Sequence, residues 1–189
     1  MREGIPGMKR ILAVLTVTLV VFGAACGSGS GGGEKSTVIA GFTADEPNPG
    51  PDTVAAAEGA SNRDLVTVAI TVTDTNGIFA AAFDLTYNAN MASFEGWSQG
   101  TLLEQGGHNP FYQVQEPQNG QLVAVATRQG AVPALNAVGT VTVIELTFRV
   151  EEEGSSQINF QAAALLDDQV QPQPIPGIAW HAGSLDGLP

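Results

Sequence analysis

The chain has 189 residues, 43% hydrophobic and 14% charged, with seven Lys+Arg against nineteen Asp+Glu for a net charge of −12. That balance excludes nucleic-acid binding through phosphate contacts, which needs a basic patch. One cysteine excludes a disulfide framework or a cysteine-rich metal site, and two histidines, His108 and His181, offer little to a histidine metal centre.

The N-terminal segment reads as an address. Arg2, Lys9 and Arg10 precede an apolar run of 15 residues, Ile11–Ala25. A membrane-spanning helix needs about 20 residues. A basic start, a short apolar centre and small residues at its end describe a secretory signal peptide. Met8-Lys9-Arg10 fits such a start better than Met1. The run ends Phe22-Gly23-Ala24-Ala25-Cys26, which resembles a bacterial lipobox with Cys26 as the lipidated residue. Residues 1–25 are therefore expected to be a lipoprotein signal peptide, and the protein to be exported and anchored by lipid to the cell envelope, at the outer membrane in a Gram-negative cell. Loss of 1–25 removes three basic residues and one acidic, leaving 4 against 18, a net −14.

Residues 26–52 are expected to be the lipidated cysteine and a linker. Gly27–Gly33 (GSGSGGG) is a flexible coil. Ser36–Ala44 offers a short extra strand, and Glu46–Asp52 (EPNPGPD) has too many prolines for regular structure. The folded domain is set at 53–189.

From there the hydrophobic period is 2. In Leu65–Thr73, Val66, Val68, Ile70 and Val72 share one face; in Ile78–Tyr87, Phe79, Ala81, Phe83, Leu85 and Tyr87 do. Gln121–Arg128 is a strand entered through Asn119-Gly120. Thr140–Val150 turns Thr142, Ile144, Leu146, Phe148 and Val150 inward, and Ser156–Ala162 does the same with Ile158, Phe160 and Ala162. Ile178–Gly183 reads as the last strand. No window carries a helical stripe. Short alternating strands between Gly, Pro and Asn turns predict an all-β sandwich of two sheets.

The order of these segments resembles a cohesin domain. Phe83-Asp84-Leu85-Thr86-Tyr87-Asn88 matches the family's aromatic-x-aliphatic-x-Tyr-Asp-Pro, with Asn88 for the Asp, Ala89 for the Pro, and Met91 and Phe94 following. Gly96–Leu103 resembles its short strand and Gly-x-Leu segment, Gly139–Val150 its aliphatic-x-Phe-x-Val strand, and Gly154–Phe160 with Gly183 its closing strands. The resemblance implies a nine-stranded jelly-roll sandwich acting as a non-catalytic binding module. Dockerin-binding cohesins carry polar residues just before the aromatic motif, where this chain has Ala80, Ala81 and Ala82. No calcium loop of the dockerin type lies in the chain, so a partner is a separate molecule.

The expected partner is a protein, dockerin-like or another envelope protein. The expected face is Ala80, Ala82, Asp84 and Thr86, with Val123, Val125 and Thr127 on a neighbouring strand. A second reading is a carbohydrate-binding module serving polysaccharide breakdown, stacking sugars on Trp97, Phe111 and Tyr112, the last two in a long exposed loop. A third is an envelope structural lipoprotein without a specific ligand. No nucleophile elbow is present. Asp84 and Glu145 point outward and read first as solvated strand faces, with a shared sheet surface as the alternative, and Asp167-Asp168 reads as a loop pair. No catalytic residue, metal or cofactor is expected.

Overall fold

A computed structural model describes residues 38–189. These residues lie within one compact unit, Lys35–Pro189. Cys26 and the Gly/Ser segment lie outside them.

Among the described residues there are eleven strands and no helix: β1 (Ile39–Ala44), β2 (Thr53–Asn62), β3 (Leu65–Thr73), β4 (Ala80–Thr86), β5 (Ala92–Gln99), β6 (Phe111–Gln118), β7 (Gln121–Thr127), β8 (Thr140–Val150), β9 (Gly154–Leu166), β10 (Ala179–His181) and β11 (Gly183–Leu188). They form a six-stranded sheet in the order β1-β11-β9-β4-β7-β6 and a five-stranded sheet in the order β10-β2-β3-β8-β5. Only the short β10–β2 pairing is parallel. The count is eleven rather than nine.

The alternation read from the sequence places the core. Val66, Val68, Ile70 and Val72 of β3 and Leu146, Phe148 and Val150 of β8 are at most 1% exposed. They face Ala81, Phe83 and Leu85 of β4 and Leu122, Ala124 and Ala126 of β7, at most 3% exposed. Phe148 sits centrally, its ring edge-on to Tyr87 and Phe94 at centroid distances of 5.2 and 5.9 Å.

The fold corrects four expectations. The sandwich starts before Thr53: β1 pairs with β11 over all six of its residues, burying Ala40 and Phe42. The last expected strand is two strands in different sheets, because the chain crosses from β10 to β11 at Ala182. Thr142 is not inward. Ile70 pairs with Ile144 but Thr71 with Thr142, so Val143 is an inserted residue. That bulge reverses the side-chain parity beyond it, and Val141 turns inward instead. Ala162 is likewise displaced. Phe83 pairs with Ala163 and Leu85 with Phe160, leaving Gln161 and Ala162 opposite Asp84. Ile158 and Phe160 keep their inward side, whereas Ala162 is exposed.

Candidate protein-docking face

Strand alternation fixes what the outside of the six-stranded sheet presents. With Ala81, Phe83 and Leu85 inward on β4, the side chains of Ala80, Ala82, Asp84 and Thr86 point outward. Register lines them up with β7: Ala80 opposite Thr127, Ala82 opposite Val125, Asp84 opposite Val123. All seven residues of the expected face thus lie on one surface. Ala80 is only 6% exposed, flanked by Thr127 and Leu166, and serves as floor rather than contact. The other six are half-buried.

The β9 bulge adds what sequence reading missed. Ala162, turned outward, and Ala164, paired with Ala82, complete a shallow concavity of about 250 Å³. Its walls are Ala82, Asp84, Val123, Val125, Ala162 and Ala164. The signal was the run Ala162-Ala163-Ala164, but its parity depends on an inserted residue that periodicity does not reveal. Small side chains leave the space open; β6 borders it with Gln113 opposite Val125 and Gln115 opposite Val123.

The hydroxyls at the rim have partners. Thr86 donates to the Asn159 carbonyl at 3.5 Å and accepts from Gln161 Nε2 at 3.4 Å. Thr127 donates to the Arg128 carbonyl at 3.0 Å. Among the described residues, none bonds or pairs with the carboxylate of Asp84.

The three candidate aromatics are not brought together on a flat surface. Phe111 and Tyr112 do not sit in a loop; they open β6, and alternation sends them to opposite sides. Phe111 is 43% exposed on the outer face, opposite Thr127. Tyr112 is 8% exposed, its hydroxyl donating to the Gly100 carbonyl at 3.2 Å. Trp97, opposite the inward Leu146, stacks on Tyr112 at 5.8 Å and 29°. This pair joins β5 and β6, the edge strands of the two sheets, and Tyr112 has no free face for a sugar. Burial first, and the charge of Glu104 second, push the Tyr112 phenol up to about 12. Tyr87, whose hydroxyl donates to Glu116, is raised further, again chiefly by burial.

The remaining candidates are separated or occupied. Asp84 and Glu145 lie on opposite outer surfaces of the sandwich, so they share no sheet surface. Asp167 accepts from the backbone of Gln169 and Gln173 and from the Gln169 side chain, and Asp168 from the backbone of Ala134. No group of three or more His, Cys, Asp or Glu among the described residues is placed to hold a metal ion. Sequence reading also passed over Arg128. Its side chain is buried and donates from Nη1 to the Gln105 carbonyl at 3.1 Å, tying the Leu102–Gly107 turns to β7.

The family model of the cohesin domain matches residues 53–174. The chain belongs to the cohesin family. It is thereby a member of a family of protein-binding modules. Its fold is similar to that of type II cohesin A11 from Bacteroides cellulosolvens, at 18% identity and a TM-score of 0.58, covering 71% of this chain and 98% of that one. It is similar also to a type II cohesin domain from the cellulosome of Acetivibrio cellulolyticus, at 17% identity and a TM-score of 0.54, over 79% and 95%. A type II cohesin–X-dockerin complex from the same organism, an interface mutant, aligns at 11% identity and a TM-score of 0.56, over 71% and 96%. At such identities the likeness is one of fold. No curated protein matches the chain.

Proposed function

We propose that this cohesin holds a separate protein, of dockerin type or another envelope protein, on the outer face of β9-β4-β7-β6, and displays that face from a lipid anchor at Cys26. The observation that carries the reading is the concavity between Ala82, Val123, Val125, Ala162 and Ala164. It is an apolar depression on a sheet surface that would otherwise be expected to be polar. The match to a family whose solved relatives include a cohesin–X-dockerin complex supports a protein occupant. The alanines in place of polar residues make the contact one of shape and apolar burial. At about 25 cal/mol per Å², burial of so small a floor contributes only about 1–2 kcal/mol before the costs of association, so the surrounding sheet surface must carry the rest of the contact.

The anchor reading rests on the basic start, the short apolar run and the small residues before Cys26. Acylation at that cysteine and the glycine-serine segment would place the domain beside the membrane with freedom to reorient.

The test uses the full chain, in detergent, as bait in envelope extracts, with and without calcium. Ala82→Trp, which fills the concavity, serves as control. A partner retained by the native chain and lost with Ala82→Trp is the expected result. Calcium dependence identifies it as dockerin-like. A partner indifferent to Ala82→Trp, or none at all, overturns the reading.

A further inference from the structure

Among the described residues, Asp84 is the sole ionisable one lining the concavity. Its cross-strand neighbour is Val123 on one side and the bulged Gln161-Ala162 pair on the other. Ala82 and Thr86 flank it along its own strand, and the Thr86 hydroxyl is engaged with Asn159 and Gln161. The carboxylate is therefore half-buried, bordered by Ala82, Val123 and Ala162 as well as by Thr86 and Gln161, and among the described residues it has no donor. Left open to water it is solvated. Once a partner covers the concavity, the same carboxylate loses water and is destabilised unless a charged donor replaces that water.

We infer, building on the docking reading above, that the partner's central contact is one lysine or arginine seated over Asp84 within an otherwise small-residue or apolar patch. Three features favour that occupant. A Lys or Arg side chain has an apolar stem and a charged head, which match the alanine–valine floor and the single carboxylate in one group. An acidic or neutral apolar residue in the same place leaves Asp84 buried and unpaired. The net charge of −12 steers cationic surfaces toward the chain and repels acidic ones. Asp84 then does two things: it holds the cation, and it rejects partners that lack one.

The test is selection of helical peptides from a display library with randomised surface positions on the immobilised full chain, with parallel selections on Asp84→Asn and Asp84→Lys. The expected winners carry one invariant Lys or Arg among small or apolar residues. Their affinity falls about tenfold or more on Asp84→Asn, the scale of a desolvated charge pair losing one member. Asp84→Lys should select an acidic residue at the same peptide position, a reversal that misfolding cannot produce. Winners that are lost on Ala82→Trp or Val125→Arg but carry no basic residue, or are indifferent to Asp84→Asn, overturn the inference and leave the docking face standing. No enrichment, or winners unaffected by Ala82→Trp and Val125→Arg, overturns both.

Discussion

Replacing Trp97 with alanine tests whether this aromatic is a staple between the sheets rather than a sugar platform. The side chain is 37% exposed. Roughly three fifths of the ~150–250 Å² of an aromatic of this size is therefore covered, about 95–150 Å². At about 25 cal/mol per Å², discounted for a compact unfolded chain and for the methyl that alanine retains, the loss is about 2 kcal/mol. The stack on Tyr112 adds about 0.5–1.5 kcal/mol. The sum, about 2.5–3.5 kcal/mol, corresponds to a fall in Tm of roughly 5–14 °C for a domain of this size. Urea denaturation of the native chain, Trp97→Ala, Tyr112→Leu and the double variant isolates the pairwise contribution, which should equal the stacking contribution. Additivity within about 0.3–0.5 kcal/mol would refute a structural stack, and a destabilisation below about 0.5 kcal/mol for Trp97→Ala would refute the burial arithmetic.

Three further outcomes are expected. The chain has two tyrosines, Tyr87 and Tyr112, both with phenols raised above the ordinary 10.0. Folding favours their protonated forms, so that stabilisation is complete below about pH 10 and is lost as pH climbs through 12; ultraviolet titration of the native protein should show almost no tyrosinate at pH 10.5, and an ordinary transition near 10 would contradict the packing. A methyl group on Gly100 would strike the backbone of Thr142 and Val143, to which this segment is hydrogen-bonded. Gly100→Ala should thus cost about 1–3 kcal/mol in thermal unfolding, and a neutral outcome would show that β5 and β8 have room to part. Cys26→Ser should abolish labelling by a fatty-acid analogue and move the protein out of the membrane fraction; unchanged labelling or fractionation would remove the anchor from the account.

The strands that sequence made legible are those whose inward residues are large and strictly alternating: β3, β4, β7 and β8. The less legible ones lack that contrast. In β2 the buried stretch is Val54-Ala55-Ala56, a continuous small-residue run, followed by exposed polar positions. β6 has one buried residue, Tyr112, and half-buried Val114 among glutamines. It is an edge strand, so pairing on one side suffices to hold it. The bulges in β8 and β9 account for the misplaced Thr142 and Ala162, because parity after an inserted residue is set by the partner strand. The same cause governs the site. Ala82, Asp84, Val123 and Val125 follow from alternation alone, whereas Ala162 and Ala164 join them only through the β9 bulge, and Ala80 is withdrawn by neighbours beyond its own strand.

On the proposed reading, the outer face of the six-stranded sheet is where a partner protein docks. A photoreactive amino acid introduced singly at Ala82, Val123 or Thr147 compares that face with the outside of the other sheet, where Thr147 lies on β8. A partner crosslink is expected from positions 82 and 123 and none from 147. Crosslinking from 147 with silence at 82 and 123 would contradict it.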